Sequence, residues 1–421
     1  LQELLVVQKY PNLSYSRQQE TSLQLVLFFA YLRPFIRFKH IPFLLCKLGA
    51  HYEFTIILLM AKKYYIDPDI KNAETLPTAF YKDTHTFDAV KKNVFLKSWQ
   101  FIGDESLVAL PQSVYPFILL DGFLTEPMLL TRNSKEELSC LTNVCTHRGN
   151  IVALHPGKSK KLTCMYHGRR FNLNGEFEHM PEFGDAENFP RPCDNLHRFP
   201  LKKWGPLLFA GLNPSFDFQQ VIDKMKERIG FLPIDEFILD TTISKDFLVH
   251  AHWALYCDNY LEGFHVPFVH EDLNAILDYG SYKTEVYDFC NLQIGYTNDA
   301  SEVFDLPEDH VDFGKNVAAY YYWVFPNMMF NFYPWGLSVN IVKPLDMNRT
   351  KVSFLSYVYD PSKYDKGAGS SLEKVEREDE FVVENVQKGV KSSFYNAGRF
   401  SPQREKGVHH FHSLLSKFLN A

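Results

Sequence analysis

The sequence predicts an α+β protein in which a small antiparallel β domain precedes a second domain whose antiparallel sheet grips a helix around a cavity. Three observations carry this prediction. Short apolar runs separated by Pro, Gly and Asp dominate the first half, and longer aromatic-rich runs dominate the second half. A charged helical pattern then follows those runs near the end of the chain. Strands that precede a late helix are typical of layered α+β domains.

The predicted elements of the first half begin with a helix. Asp83 and Thr84 are suitable N-caps for a helix that directs four apolar side chains toward a core. Those side chains are Phe87, Val90, Val94 and Phe95. Short apolar runs then predict strands at Leu107–Leu110, Phe117–Leu120 and Met128–Thr131. A short helix at Gln219–Arg228, closed by Gly230, follows the boundary between the two domains.

The second half predicts a sheet followed by two helices. Its strands are expected at Val317–Phe325, Met328–Tyr333, Leu337–Val342 and Val352–Tyr359. A charged helix is expected at about residues 372–390, and the last helix should bury Val408, Phe411, Leu414, Leu415 and Phe418. The strand runs hold eight aromatic residues that are candidates for a cavity lining: Tyr321, Tyr322, Trp323, Phe325, Phe330, Phe332, Tyr333 and Trp335. Because alternate residues of a strand face opposite sides, we expect at least half of them to be ordinary core.

Length and composition restrict the class of protein. The 421 residues suffice for about two to three domains with substantial cores. The formal net charge is −6, so no basic surplus indicates nucleic acid or an anionic membrane as a partner. Seven cysteines, an odd number without repeating spacing, predict a reducing cytoplasm and not a disulfide framework.

Residues 1–59 differ in character from the rest of the chain. The first methionine is Met60, and the apolar runs Leu25–Leu32 and Phe54–Met60 are too short to span a bilayer. We therefore predict that residues 1–59 are a non-native extension upstream of a start at Met60. The alternative is an accessory helical segment or a hydrophobic anchor.

Two short arms in the first half each pair a thiolate with an imidazole. Cys145 and His147 form a Cys-x-His arm, and Cys164 and His167 form a Cys-x-x-His arm, with 16 residues between them. Two Cys and two His in this arrangement suit a [2Fe–2S] cluster in which histidines replace two thiolates on one iron. Replacing anionic ligands by neutral ones makes reduction of the cluster easier.

A structural zinc site is the alternative for this Cys/His quartet. Zinc fingers, however, usually place two Cys on one arm and two His on the other. Gly149 and Gly168 follow the two histidines and supply the backbone freedom that lets two loops close over a cluster. The sequence therefore favours the iron–sulfur interpretation.

A second group of metal-ligand residues lies in the second half. Asp258, Glu262 and His265 would share one face of a helix. Pro267 disturbs that helix, which predicts a bend that brings His270 beside His265. Two His and one carboxylate form the facial triad of non-haem Fe(II) oxygenases, with open positions for O2 and substrate. Two ordinary helix-end histidines are the alternative.

The third ligand must come from another part of the chain. The candidate is the acidic segment 375–384, which reads Val-Glu-Arg-Glu-Asp-Glu-Phe-Val-Val-Glu. Composition does not choose among these carboxylates. A solvated helix face is the alternative interpretation, because most acidic helix residues face water.

From about Met60 to its end, the chain resembles the α subunits of Rieske non-haem iron ring-hydroxylating oxygenases. The resemblance is carried by the two cluster arms, by Asp258-Asn259-Tyr260-Leu261-Glu262-Gly263 before the two histidines, and by the segment from Asp379 to Gln387-Lys388-Gly389. Within this family the chain is similar to the branch that contains choline, glycine betaine and carnitine monooxygenases.

The resemblance implies roles for particular residues. His265, His270 and Asp379 would bind the mononuclear iron. Glu262 matches the carboxylate that bridges a cluster histidine of one subunit to an iron histidine of its neighbour; many family members have Asp there. The implied domains are a Rieske domain with its N-terminal helix at 60–216 and a catalytic iron domain at 217–421.

Two positions depart from the family pattern. Arg169 stands where the family often has Trp, and His252 stands where it often has Asn before Trp253. Neither position is an iron ligand, so the metal assignments are unaffected. For His252 we favour a core histidine over a residue that supports the iron ligands.

The predicted function is that of a terminal oxygenase, a monooxygenase or dioxygenase that activates O2 and hydroxylates a small organic substrate. Its cofactors would be a [2Fe–2S] Rieske cluster and mononuclear Fe(II). Because the chain has no Gly-rich dinucleotide fingerprint, NAD(P)H would act through a separate flavin- or ferredoxin-type reductase. The family further implies a head-to-tail homotrimer.

The substrate class is the most open part of the sequence-based prediction. The resemblance favours a quaternary ammonium compound, which would undergo N-demethylation or alcohol oxidation, and an aromatic lining could hold its cation. Ring hydroxylation of an arene, a Rieske electron carrier without oxygenase activity, and a metabolite-binding protein with a vestigial iron site are the alternatives.

Overall fold

The computed structural model describes residues 64–421. The described residues all fall within one compact unit. The predicted extension at 1–59, with its apolar runs, lies outside the described residues. Within residues 64–421, no helix is both long enough and apolar enough to cross a bilayer.

The described part opens with two short helices, α1 (Ala79–Lys82) and α2 (Thr84–Val90). The side chain of Asp83 accepts a hydrogen bond from the amide of His85, which confirms the predicted N-cap. The helix then widens into a π-helical turn at Lys91–Phe95. All four apolar residues predicted to face the core are buried.

Three small antiparallel sheets follow in the first half. The strand orders are β1-β11-β10, β5-β2-β3-β4-β9 and β6-β7-β8. Their bounds are β1 Trp99–Asp104, β2 Ser113–Leu119, β3 Glu126–Arg132, β4 Leu138–Thr142, β5 Gly157–Lys158, β6 Leu162–Thr163, β7 Arg170–Phe171, β8 Phe177–His179, β9 Arg198–Phe199, β10 Leu201–Trp204 and β11 Leu207–Gly211. The third sheet surrounds the second metal-ligand arm, so the arms project from short strands of an antiparallel β domain.

One predicted strand of this half is wrong. Strands occur at the runs Phe117–Leu120 and Met128–Thr131, but the run Leu107–Leu110 lies in and just after a 3-10 turn, Glu105–Val108. The side chain of Asp104 accepts a hydrogen bond from the amide of Ser106 and caps this turn. The cap stabilises a local turn over an extended strand.

The second half is built on one seven-stranded antiparallel sheet in the order β12-β18-β17-β16-β15-β14-β13. Its strands are β12 Ile238–Val249, β13 Lys283–Val286, β14 Cys290–Tyr296, β15 Val317–Val324, β16 Met328–Tyr333, β17 Gly336–Asp346 and β18 Arg349–Val358. The four predicted strands correspond to β15–β18 and are confirmed. The sequence does not predict β12, because of its twelve residues only Phe247 and Val249 are buried.

The helices of this half cover the sheet and join its strands. They are α3 Gln219–Ile229, α4 Trp253–Tyr260, α5 Val266–Val269, α6 Glu271–Ile276, α7 Leu372–Gly389 and α8 Lys406–Leu419. The predictions for α3, with Gly230 at its C-cap, and for α7 are confirmed. All five apolar residues that were expected on the inner side of α8 are buried. The mixed helical and antiparallel architecture is therefore the predicted α+β class.

The aromatic strand residues divide between the two faces of the sheet. Residues directly opposite on neighbouring antiparallel strands share a face. Tyr321 pairs with Asn331, whose side chain accepts a hydrogen bond from the Tyr260 hydroxyl of α4 at 2.6 Å. Tyr322 pairs with Phe330, which lies on the opposite face. The face shared by Tyr321 and Asn331 is therefore the one turned toward α4.

Candidate metal centres

The two arms of the first half fold into loops with the same hydrogen-bond pattern. In each loop the amide of Cys145 or Cys164 donates to the carbonyl five residues later, at 2.8 Å. The amide of Gly149 or Gly168 donates back to the carbonyl of that cysteine, at 3.0 Å. These glycines have φ values of 71° and 72°, in the left-handed region that favours glycine. The predicted need for glycine after each arm is thus met by the backbone conformation.

The four potential ligand atoms of these loops face one another in pairs. Cys145 and Cys164 are buried and their thiols hydrogen-bond each other. The Nδ1 atoms of His147 and His167 lie 3.2 Å apart. A tetrahedral metal with bonds of about 2.1 Å separates two imidazole nitrogens by about 3.4 Å, so the histidine pair fits one iron.

The quartet does not fit a single zinc ion. One tetrahedral ion would hold all four ligand atoms within about 4 Å of one another. Among residues 64–421, one group of three ligand residues falls within 4.8 Å, and it contains none of these four. Separate cysteine and histidine pairs are what a two-iron cluster with one pair on each iron requires.

Cys164 has the environment of a thiolate ligand. Burial raises the pKa of its thiol, but the amide of Tyr166 and the side-chain amide of Asn150 outweigh burial and lower it. The Asn150 Nδ2 atom lies 3.5 Å from the Cys164 sulfur. Hydrogen bonds of this kind are the ones that cluster sulfurs accept in iron–sulfur proteins.

The second group of ligands is arranged differently from the prediction of one helical face. Helix α4 ends at Tyr260, so Glu262 and His265 lie beyond it in a turn. The Glu262 carboxylate accepts hydrogen bonds from the backbone amides of Phe264 and His265, and this side-chain bonding replaces the next helical turn. At Gly263 a Cβ atom would lie 2.8 Å from the ring of Tyr282, so the turn packs closely on that side chain.

The bend also begins before Pro267 and not at it. Pro267 lies in the first turn of the short helix α5, where a missing amide proton costs no helical hydrogen bond. The predicted proximity of the histidines nevertheless holds, because α5 spans the interval between them. The rings of His265 and His270 have centroids 5.1 Å apart.

Asp379 of α7 meets both histidines. Its Oδ1 atom lies 3.1 Å from Nε2 of His270 and 3.5 Å from Nε2 of His265. The potential ligand atoms of these three residues all lie within 4.8 Å of one another. The structure thus brings together the three residues that the sequence resemblance implied, across more than one hundred positions of the chain.

The other nitrogen of each imidazole faces a glutamate. Nδ1 of His265 lies 2.8 Å from Glu262, and Nδ1 of His270 lies 2.7 Å from Glu378. Burial disfavours protonation of His270, but Asp379 and Glu378 outweigh burial and raise its pKa. A carboxylate on Nδ1 fixes the tautomer that leaves Nε2 available to a metal.

Sequence reasoning did not identify two residues that support the metal ligands. The sequence marks Glu378 only as one of several candidate carboxylates of the acidic segment, and Asn259 only as part of a motif. The Asn259 Nδ2 atom donates to Asp379 Oδ1 at 2.6 Å. No periodicity signals either contact, since both join α7 to segments more than one hundred positions away.

The two residues that depart from the family pattern are both buried. His252 has its Nδ1 atom 3.3 Å from the amide of Ala254, which it caps at the start of α4, and aromatic rings surround it. This arrangement confirms the core interpretation. Arg169 pairs with Asp194 at 2.8 Å and lies beneath the second arm of the cluster loops.

Comparisons with known proteins agree with this geometry. Residues 118–190 match the family model of the Rieske [2Fe-2S] domain, and residues 239–421 match that of the ring hydroxylating alpha subunit (catalytic domain). The first match contains both cysteine–histidine loops, and the second contains the whole two-histidine, one-carboxylate set. Each candidate metal centre therefore lies within the range matched by one of the two family models.

Curated relatives cover most of the described chain. The choline monooxygenase of Beta vulgaris chloroplasts is 28% identical over 367 residues, which is 84% of this chain and 79% of the relative. The carnitine monooxygenase oxygenase subunit of Escherichia coli K12 is 27% identical over 364 residues, 82% of this chain and 94% of the relative.

Solved structures share the fold. The quaternary ammonium Rieske monooxygenase CntA in complex with L-carnitine is 22% identical, with a TM-score of 0.65 over 84% of this chain and 99% of that one. Naphthalene 1,2-dioxygenase from Rhodococcus sp. is 18% identical, with a TM-score of 0.62 over 82% and 94% of the two chains.

Fold and sites together define an iron-dependent oxidoreductase of the Rieske type. The chain belongs to the α subunits of the Rieske non-haem iron ring-hydroxylating oxygenases. Its family cofactors are a Rieske [2Fe–2S] cluster and a mononuclear iron, and family members receive electrons from a separate reductase.

Proposed function

We propose that this chain is a terminal oxygenase that hydroxylates a quaternary ammonium compound, either at a carbon bonded to the cationic nitrogen or at a carbinol carbon. The observation that carries the oxygenase assignment is the convergence of His265, His270 and Asp379 within 4.8 Å. Two imidazoles and one carboxylate leave several positions of a ferrous ion open to O2 and substrate. A pure electron carrier has no use for such a set.

The proposed ligands follow from the two geometries. The cluster ligands are Cys145, His147, Cys164 and His167, and the ligands of the mononuclear iron are His265, His270 and Asp379. When bound, the cluster supplies single electrons and the ferrous iron supplies O2 activation. The chain itself binds and orients the substrate and excludes water from the site.

Carboxylates next to the proposed iron ligands influence which nitrogen of each imidazole carries the proton. With a metal at Nε2, Glu262 and Glu378 would each accept a hydrogen bond from the Nδ1–H of a ligand histidine and so fix the metal-binding tautomer. Glu262 has a second role in this proposal. It lies on a partly exposed turn between the end of α4 and Phe264, where it can join an iron histidine to a cluster histidine of a neighbouring subunit.

Aromatic side chains near Glu262 support the substrate class. Tyr260, Tyr282, Tyr321 and Tyr333 act on one another electrostatically, and burial raises the pKa of all four, so they remain neutral phenols. The rings of Tyr321 and Tyr333 have centroids 5.9 Å apart. A quaternary ammonium group over such a ring gains about 0.5–2 kcal/mol per contact. The names of the choline and carnitine monooxygenase relatives point to the same class.

The proposed products depend on the carbon that is hydroxylated. A hydroxylated N-methyl group collapses to formaldehyde and a tertiary amine, which is N-demethylation. Hydroxylation of a carbinol carbon instead gives an aldehyde hydrate, which is alcohol oxidation. Formaldehyde in the product mixture therefore distinguishes the two outcomes.

The proposed partners are a flavin- or ferredoxin-type reductase and two further copies of this chain in a head-to-tail trimer. The trimer is supported by exposed apolar side chains beside both centres. Met165 is 83% exposed in the second cluster loop, and Phe268 is 80% exposed between the two iron histidines. A cytoplasmic location is proposed from the cysteines of residues 64–421, none of which forms a disulfide there.

A single-turnover assay tests the function. Anaerobically reduced holoenzyme is mixed with O2 and one candidate substrate. The substrates are tested in separate reactions: choline, glycine betaine, carnitine, stachydrine and a simple arene. Product from one quaternary ammonium compound, in an amount close to that of the enzyme, is the expected result. Product from arenes alone would contradict the proposed substrate class and make the protein a ring hydroxylase.

The matched control is His265→Ala. This variant should contain about two irons per chain in place of about three, keep the colour of the cluster and give no product. Product formation by His265→Ala would refute the proposed iron site, whatever the substrate.

A further inference from the structure

Arg169 is a buried cation next to the loops that hold the cluster. Its side chain is 2% exposed, and it follows the ligand His167 by two positions. Burying a charge is costly unless it is paired, and Arg169 is paired with Asp194. The family often has the neutral residue Trp at this position.

The guanidinium group is fixed from several sides. Its Nη2 atom lies 2.8 Å from Oδ1 and 3.0 Å from the backbone carbonyl of Asp194. Three phenyl rings surround it, with centroids 4.9–5.7 Å from the guanidinium carbon: Phe171, Phe177 and Phe189. Such a side chain keeps its charge in one place and in a medium of low dielectric constant.

These contacts connect Arg169 to both cluster loops. Its backbone carbonyl accepts the hydrogen bond from the amide of Cys164 at 2.8 Å. The Asp194 carbonyl that it binds also accepts a hydrogen bond at 2.8 Å from the hydroxyl of Thr146, which lies between Cys145 and His147. Arg169 therefore contacts the Cys164 arm directly through its backbone, and its guanidinium reaches the Cys145 arm through the carbonyl of Asp194.

We propose that Arg169 is a positioning residue that raises the reduction potential of the Rieske cluster. One-electron reduction by the reductase makes the cluster one unit more negative, and a fixed cation beside it stabilises the reduced state relative to the oxidised state. Net charge around a cluster is one of the established determinants of its potential. This inference rests on the proposed cluster ligands.

The test is a redox titration of the purified holoenzyme, monitored by electron paramagnetic resonance. Arg169→Gln removes the charge and should make reduction about tenfold less favourable, a decrease of about 59 mV for a one-electron couple. Arg169→Lys should restore most of the potential. Arg170→Gln removes the same charge from the next, exposed residue and is the matched control, with the wild-type potential expected.

Asp194→Asn separates an electrostatic role from a structural one. Removing the negative partner should raise the potential, opposite to Arg169→Gln, whereas general damage to the loops would move both variants in the same direction. The potential of Asp194→Asn also tests the inference if Arg169→Gln does not fold. A Rieske spectrum with a wild-type potential in Arg169→Gln, or in Asp194→Asn, would overturn the inference. A wild-type protein without any Rieske spectrum would instead refute the proposed cluster itself.

Discussion

The Nδ1 atom of His270 lies 2.7 Å from a carboxylate oxygen of Glu378, the residue that directly precedes Asp379 on α7. Consecutive residues of one helix thus contact both nitrogens of one imidazole, because Asp379 lies 3.1 Å from its Nε2 atom. His265 has the same arrangement, with Glu262 on Nδ1 and Asp379 on the other nitrogen. Each of the two candidate iron-binding histidines lies between two carboxylates.

Glu378→Gln should weaken iron binding while leaving the cluster intact. Loss of a carboxylate from the far side of a metal-bound histidine typically costs about 10–100-fold in metal affinity. The measurement is an anaerobic titration with ferrous ion, with the absorption of the cluster as an internal reference. Glu373→Gln, a change at an exposed residue of the same helix that pairs with Lys245, is the control. Wild-type iron affinity in Glu378→Gln would show that Glu378 has no such role.

Replacing Gly149 or Gly168 by alanine should destabilise the cluster loops to different degrees. Gly149 and Gly168 have nearly the same positive φ, which costs alanine about 1–2 kcal/mol at either position. A Cβ atom at Gly168 would also lie 3.3 Å from Pro181, whereas among the described residues no atom lies within 4 Å at Gly149. On heating, Gly168→Ala should lose the visible absorption of the cluster at the lowest temperature and Gly149→Ala at an intermediate one.

The control for this pair is Gly184→Ala. Gly184 lies in the same part of the chain, is not among the glycines with positive φ, and has no described neighbour within 4 Å of the position that a Cβ atom would take. It should retain the cluster as the wild type does. Equal loss temperatures for Gly149→Ala and Gly168→Ala would contradict the role assigned to Pro181.

His252 should make the protein less stable as the pH falls. Burial lowers its pKa from 6.5 to about 3, so the folded state keeps it neutral where the unfolded chain takes up a proton. The stability is therefore complete above pH 6.5 and is lost as the pH decreases below it, by about 1.4 kcal/mol per pH unit. Asn keeps the N-cap and cannot be protonated, so His252→Asn should remove this slope.

Urea unfolding at about pH 7.5, 6.5 and 5.5, followed by tryptophan fluorescence, measures the effect on either side of the ordinary histidine pKa. His85→Asn, which changes an exposed histidine of α2, should keep the wild-type dependence on pH. If His252→Asn and the wild type lose stability in parallel as the solution is acidified, His252 is not buried in its neutral form.

Mixed oligomers should recover activity that neither variant has alone. In the proposed trimer the cluster of one subunit serves the iron of its neighbour, so a Cys145→Ala chain and a His265→Ala chain complement each other at some interfaces. Differently tagged variants are co-expressed, purified through both tags and assayed for product. In the control, two differently tagged copies of the same variant are co-expressed and purified through both tags, and these complexes should be inactive. Complexes that contain both chains and remain inactive would argue that electrons stay within one subunit.

The sequence predicts candidate ligands most readily where they lie close together in the chain. Each cluster loop carries its cysteine, histidine and glycine within five positions, and His265 and His270 are five positions apart. Asp379 is 109 positions beyond His270, so only the family resemblance singled it out of its acidic segment. The Glu378 and Asn259 contacts depend on how α7 packs against α4 and α5, which no local pattern records.

The errors at the level of secondary structure have local physical causes. The sequence has the spacing of one helix from Asp258 to His265, but Glu262 bonds to the amides that would continue it, and α4 ends. Asp104 similarly caps a turn where an apolar run suggested a strand. In both places a carboxylate competes with regular backbone pairing.

The sheet face that points away from α4 joins the two halves of the protein. Phe330 packs against Phe209, and Phe332 packs against Trp204, which both belong to strands of the first half. A chain cut between residues 216 and 217 would expose both surfaces of this aromatic contact to water, so neither piece should remain in solution alone. The halves that carry the two candidate metal centres are consequently joined by one continuous aromatic core.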